Sequence, residues 1–408
     1  MNKYILINGK ILTPFEQLND YVLEITGNKI SNIFKSDMLD NKSYKKDYDS
    51  IFDLKGKIIS PGFIDIHNHG AKEIDFLYLE KDSIDDATMH YATGGTTSFL
   101  LTPAALPFKD AINNLKRVKK VISKEYRGAR VLGINMEGPY LSPKHGAQNP
   151  EYFKDPIKEE YEAIIQEALP FLKVMTVPPE IQGAKGLIKY LNQNGVIISI
   201  GHTEASRDEV DFAVLNGAKL ITHIFNAMGQ PSQIDGGVKP VGVEEYLMIN
   251  DKLMAEVMAD RYGAHIDPIF LKILLRVKGK DKIILITDSV FPAGLKSGTY
   301  SFSDGRKFIV FEGDVNRLEA NNGLAGSVMN MNNAVKNMIN HTGIGIKDAV
   351  LMASYNPAKL LRIDNKKGNI QVGMDADIAI IDENINVYMT IVEGDIVFDD
   401  LENNNDKT

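Results

Sequence analysis

The chain has 408 residues, 44% of them hydrophobic and 25% charged, with a formal net charge of −8 and no cysteine. That composition supplies a sizeable core and excludes disulfides, thiolate nucleophiles and cysteine-based zinc or iron–sulfur sites. A net-negative chain without a concentrated basic stretch is a poor nucleic-acid binder, and no run reaches the roughly 20 apolar residues of a membrane-spanning helix, so a soluble cytoplasmic protein is expected.

Taken in order, the N-terminal stretches "KYILING" and "YVLEITGNKISNIF" read as short strands broken by Gly and Asn turns. Eight apolar runs of strand length follow: "KIISPGFIDI", "TTSFLLT", "VLGINM", "LKVMTV", "VIISIG", "KLITHIF", "LMAEVMA" and "KIILIT". Most are continuous, as strands covered on both faces should be. The segments between them have helical spacing in places, as in "DEVDFAVLNG" and, after the last run, "SVMNMNNAVKNMI". The basic cluster from Lys116 to Lys124 is interleaved with apolar residues and reads as a solvated helix face. The C-terminal stretch "GNIQVGMDADIAIIDENINVYMTIVEGDIVF" returns to short strands. The pattern predicts an α/β protein: a (β/α)8 TIM-like barrel over 57–367 with a small β-sandwich lobe formed by residues 1–56 and 368–400, and a polar tail at 401–408. A doubly wound open sheet gives a similar alternation.

Chemistry-bearing residues gather where these runs end. His67 and His69 follow the first, Glu137 the third, Glu180 the fourth and His202 the fifth. His223 lies in the sixth, Asp260 and His265 follow the seventh, and Asp288 follows the eighth. In a barrel these ends open on one face, the face that carries the active site. Five of the eight histidines fall there; His90, His145 and His341 lie elsewhere. Imidazole nitrogens and carboxylate oxygens are the usual ligands of zinc and similar ions, and residues two apart on a strand point the same way, so His67 and His69 can share one ion.

With "PGFIDIHNHG", "NMEGPYLSPKHGAQNPEY", "GHTEAS", "THIFNAM", "LITDSVFPAGL" and "RLEANNGLAGSVMNMNNAV" in this order, the chain resembles the amidohydrolase superfamily, and within it the N-acetylglucosamine-6-phosphate deacetylases. The resemblance covers nearly the whole chain. It implies a metal-bearing barrel with a small β-sandwich, a homodimer, and hydrolysis of an N-acetyl amino sugar to amine and acetate. It implies metal ligands Glu137, His202 and His223, with His67 and His69 available for a second ion, so one or two divalent cations, zinc or iron foremost. Asp288 is expected to move the proton as general base and then acid, and His265 to stabilise the oxyanion.

Two family features differ. The family's "D-G-x-H" is here the longer "DRYGAH", which ends on His265. For the substrate phosphate, the intact "FNAM" offers Asn226 and Ala227, but the family's arginine position falls at Val238 or Lys239, and its histidine at Gln148. Lysine offers a point charge where arginine offers a bidentate fork, and glutamine is neutral. Lys239 still offers a partner for phosphate, and Arg261 a replacement charge. These changes keep open a related activity, a deacylase or cyclic amidase acting on an unphosphorylated or different small amide.

Overall fold

Short apolar stretches from both ends of the chain build one sheet. In the computed structural model, which describes residues 2–39, 44–144, 146–229, 241–302, 305–311 and 315–401, Lys3–Leu12 pairs antiparallel with Gln17–Thr26, which turns back into Lys29–Lys35. Lys3–Leu12 also runs parallel to Ile58–Pro61, and Ile58–Pro61 pairs antiparallel with Ile378–Ile381 near the C-terminus. Val387–Val392 and Asp395–Asp399 continue outward. Both ends of the chain therefore share one eight-stranded sheet, packed on Tyr4, Leu6, Ile11, Leu23, Ile378 and Ile391.

The run from Lys57 to Ile66 divides in two. Ile58–Pro61 belongs to the terminal sheet, while Phe63–Asp65 opens the barrel. The chain crosses at Gly62, where a Cβ would lie 2.2 Å from Thr97 Cγ2, so the close approach requires glycine.

The barrel strands are β1 (Phe63–Asp65), β2 (Thr96–Leu101), β3 (Arg130–Met136), β4 (Leu172–Thr176), β5 (Ile197–Ile200), β6 (Ala218–Ile221), β7 (Met254–Met258) and β8 (Ile283–Ile286). Each pairs in parallel with the next. Every residue of β2, β7 and β8 is buried, as expected for strands covered on both faces. The ladder closes just beyond β1 and β8: Asp288 N–H donates to His67 O at 2.9 Å and His69 N–H to Ser289 O at 2.6 Å. The chain is thus a (β/α)8 barrel with a separate sheet domain.

Helices Phe108–Ile122 and Arg207–Leu215 fall where the spacing predicts them, with Lys116, Arg117 and Lys120 exposed on the first. The helix predicted from Ser327 starts later, at Met331. Ser327 instead ends a four-stranded antiparallel sheet (Gly298–Ser301, Lys307–Val310, Val315–Leu318, Leu324–Ser327) that the sequence reading does not anticipate. Ser327 N–H donates to Asp288 O at 2.8 Å, which docks this insertion on the extension of β8.

Directly after His69, Gly70 has φ +144°, and a Cβ there would lie 2.0 Å from Ile74 O. Gly70→Ala should lower the thermal unfolding midpoint by at least ~2 °C, followed by circular dichroism. An unchanged midpoint would mean that the backbone relaxes around the added methyl.

Candidate metal centre

His67 and His69 lie just past β1, two residues apart, and their rings sit 5.3 Å from centroid to centroid. Glu137 follows β3, His202 and His223 follow β5 and β6, and Asp288 follows β8. His202, His223, Phe225, Ala227 and Asp288 take φ values from +25° to +75°. Non-glycine residues in this region are strained, and such strain concentrates where the backbone must aim functional groups.

These side chains converge on Glu137, which is 3% exposed. Its Oε1 lies 2.8 Å from His202 Nε2, 2.9 Å from His223 Nε2 and 3.6 Å from His67 Nε2. Its Oε2 lies 3.3 Å from His69 Nε2. Asp288 Oδ1 stands 3.1 Å from His69 Nε2 and 3.7 Å from His67 Nε2. His67 Nε2 is buried and makes no hydrogen bond. Among the described residues, two groups have all their ligand atoms within 4.8 Å of one another: His67 with His69 and Asp288, and His67 with Glu137 and His223. An orphaned imidazole nitrogen amid carboxylate oxygens and further imidazoles fits a divalent cation.

Burial opposes charge on Glu137, His67 and His69, and their neighbours oppose burial. For Glu137, burial is outweighed by the positive charges of His202 and His67 and by hydrogen bonds from His202 and His223, so its carboxyl lies well below the usual range. For His67, burial is outweighed by Glu256 and Glu137, which hold the ring well above the usual imidazole value. For His69, burial is outweighed by Asp288 and Glu137, which raise it to about 10.

Two buried acids in this network are absent from the sequence reading. Glu256, on β7, has no exposed surface, and its Oε2 lies 3.0 Å from His67 Nδ1. That contact leaves Nε2 as the nitrogen facing Glu137 and Asp288. Asp65 accepts from His67 N–H and from the Thr287 hydroxyl, and burial pushes its carboxyl up to about 7. The available signal for Glu256 is an acid in the middle of the apolar run "LMAEVMA". His69 Nδ1 is held by Thr102 O at 2.8 Å.

The longer loop after β7 keeps His265 at the site. Asp260 accepts from the backbone N–H groups of Tyr262, Ala264 and His265, so the loop folds around its carboxylate. Asp260 Oδ2 lies 3.1 Å from His265 Nδ1, while His265 Nε2 is buried without a hydrogen-bond partner. Burial of Asp260 is outweighed by the hydrogen bonds and charge of His265, which lower its carboxyl. Asn226 donates to His265 O at 3.0 Å. His69, Glu137, Gln148, His202, His223, Asn226, Ala227, His265 and Asp288 all line one cavity of about 330 Å³. Gln148 donates to Glu137 Oε2 at 2.6 Å and accepts from Ala105 N–H at 2.7 Å, so its amide supports the cluster. Glu180 does not join; it accepts from Thr203 and Glu204 and braces the loop that carries His202. Lys239 and His145 lie outside the described residues.

Carboxylate partners of ligand histidines typically tune metal affinity about 10- to 100-fold. Glu256→Gln keeps the shape but removes the charge facing His67 Nδ1, and it should weaken divalent-cation binding by about that factor. Chelator competition on the purified protein measures this, and equal affinity in both proteins removes Glu256 from the role.

The amidohydrolase family model matches residues 58–397. The N-acetylglucosamine-6-phosphate deacetylase of Bacillus subtilis (strain 168) is 33% identical over 392 residues, covering 95% of each chain. The N-acetylgalactosamine-6-phosphate deacetylase of Escherichia coli O157:H7 is 29% identical over 394 residues, covering 96% of this chain and 99% of the other. The crystal structure of N-acetylglucosamine-6-phosphate deacetylase from Pasteurella multocida superposes with a TM-score of 0.86 at 27% identity, covering 97% of this chain and 99% of that one. On sequence and fold together, this chain belongs to the amidohydrolase family, in the branch that holds the N-acetylglucosamine-6-phosphate deacetylases.

Proposed function

We propose that this protein is a metal-dependent deacetylase that hydrolyses the acetamide of an N-acetyl amino sugar, foremost N-acetylglucosamine 6-phosphate, to glucosamine 6-phosphate and acetate. The observation that carries the reading is the approach of Asp288 and the unpartnered His265 Nε2 to one cavity walled by the imidazole–carboxylate cluster. The named relatives act on gluco- and galacto-configured sugars alike, so the configuration at C4 is the open choice between them.

His67, His69, Glu137, His202 and His223 are the residues that would hold one or two cations, and the two oxygens of Glu137 face different rings. Zinc or iron suits this donor set. When bound, such a cation lowers the pKa of water from about 15.7 to about 7 and so supplies a nucleophile at neutral pH. Asp288, 3.1 Å from His69, takes the proton of the attacking water and returns it to the departing amine. His265, held at Nδ1 by Asp260, turns Nε2 to the cavity, and in its protonated form it donates from there to the carbonyl oxygen as negative charge develops. Asn226, bonded to His265 O, and Ala227 also line the cavity as proposed substrate contacts, and Gln148 keeps Glu137 in place.

A homodimer is the proposed assembly, and a cysteine-free chain suits a cytoplasmic setting. Helix Pro268–Lys278 exposes Ile269, Ile273 and Val277 at helical spacing, with Phe270 beside them. Phe270 packs on Phe225 at 5.3 Å, next to Asn226, so this apolar face adjoins the cavity. Among the described residues no helix is long and apolar enough to cross a membrane.

Asp288→Asn should retain fold and metal but lower acetate release from N-acetylglucosamine 6-phosphate about 10²- to 10⁴-fold. Turnover near the wild-type level would exclude Asp288 as the proton carrier. Ile273→Glu places a charge in the proposed interface, and sedimentation should then show a monomer where the wild type is a dimer. A wild-type protein that sediments as a monomer contradicts the assembly.

A further inference from the structure

Three carboxylates, Asp75, Glu137 and Asp288, line the cavity, but among its described lining residues only one is a lysine or arginine: Arg306. A phosphorylated sugar brings its own negative charge into that field, at the far end of the molecule from its acetamide. Placing it there without a compensating cation is unfavourable.

Arg306 stands at the tip of the hairpin joining Gly298–Ser301 to Lys307–Val310, in the inserted sheet. Phe302 N–H donates to Arg306 O at 2.7 Å. The Phe302 ring packs edge-on against Phe308 at 4.3 Å and Phe291 at 5.8 Å. Phe291 follows Asp288 closely in the chain, so the hairpin is anchored to the extension of β8 that carries the proposed proton carrier. The guanidinium lies over the Phe302 ring, with Cζ 5.1 Å from its centroid, and it donates to Ala147 O. Ala147 adjoins Gln148, whose amide donates to Glu137. Arg306 is therefore fixed to the same wall segment that supports the cluster, on an element remote in sequence from "FNAM". Arg261, the other arginine near the mouth, is exposed and lies over the Tyr262 ring at 5.5 Å, away from the residues that line the cavity.

Resting on the deacetylase reading above, we propose that Arg306 binds the 6-phosphate of the substrate and sets the preference for a phosphorylated sugar. The planar fork of a guanidinium matches two phosphate oxygens, a geometry that neither Gln148 nor a lysine provides.

The test compares kcat/KM for N-acetylglucosamine 6-phosphate and N-acetylglucosamine in the full-length, metal-loaded wild type, Arg306→Met and Arg306→Lys. The wild type should favour the phosphorylated sugar. Arg306→Met should lower its kcat/KM by roughly 10- to 100-fold, chiefly through KM, with Arg306→Lys in between. If Arg306→Met and Arg306→Lys keep the wild-type ratio between the two sugars, the proposal is overturned. A wild type that hydrolyses both sugars equally well also overturns it, while leaving the deacetylase reading intact. A wild type that releases acetate from neither sugar overturns the deacetylase reading itself.

Discussion

A carboxylate withdrawn from water must be matched by positive charge or by hydrogen-bond donors, and Glu137 sets that requirement for the whole mouth of the barrel. Its two oxygens are shared among the rings of His202, His223, His67 and His69 and the amide of Gln148. No single strand could supply these partners. They come from β1, β5, β6 and a loop, so the site exists only when the strand ends are brought together in register. The outer contacts follow the same logic. Glu256 faces the far nitrogen of His67, Thr102 O the far nitrogen of His69, and Asp260 that of His265. Each outer partner fixes which nitrogen its ring turns to the cavity.

The backbone bears part of the cost of this convergence. His202, His223 and Asp288 all adopt left-handed φ values, a conformation that costs of order 1–3 kcal/mol per residue and persists only where the surroundings over-determine it. Those surroundings are continuous buried strands such as "TTSFLL" and "IILI". A barrel wall that is apolar on both faces gains stability with little help from its upper rim, and so the rim can hold strained backbone and crowded charge.

The features legible in the sequence are those set by local pattern. Buried strands read as unbroken apolar runs, and all eight appear in the right order. The chemistry at their ends was also legible, because a histidine or acid that interrupts or follows such a run is conspicuous, as with His67, Glu137, His202 and Asp288. Features created by long-range pairing were hidden. The division at Gly62 follows from Ile58–Pro61 pairing with Ile378–Ile381, a partner hundreds of residues away in the chain. The inserted sheet was missed because its strands are four residues each and carry mixed polarity, as in "GTYS" and "VNRL". Glu256 is hidden in an otherwise apolar run, and Arg306 is hidden because only the fold brings its hairpin to the cavity. The loop after β7 reads as a departure by length alone, yet Asp260 gathers the extra residues and delivers His265.

The barrel is joined where the site lies: the hydrogen bonds that connect its first and last strands run between His67 and Asp288 and between His69 and Ser289. Nearby, the Thr287 hydroxyl donates to Asp65, which lies 222 residues earlier in the chain. During synthesis, the N-terminal half of this seam leaves the ribosome long before its counterpart exists. The proposed proton carrier thus reaches the histidine pair only once β8 has folded back beside β1, so loosening this join would displace Asp288 from His67 and His69 while leaving each on its own intact strand.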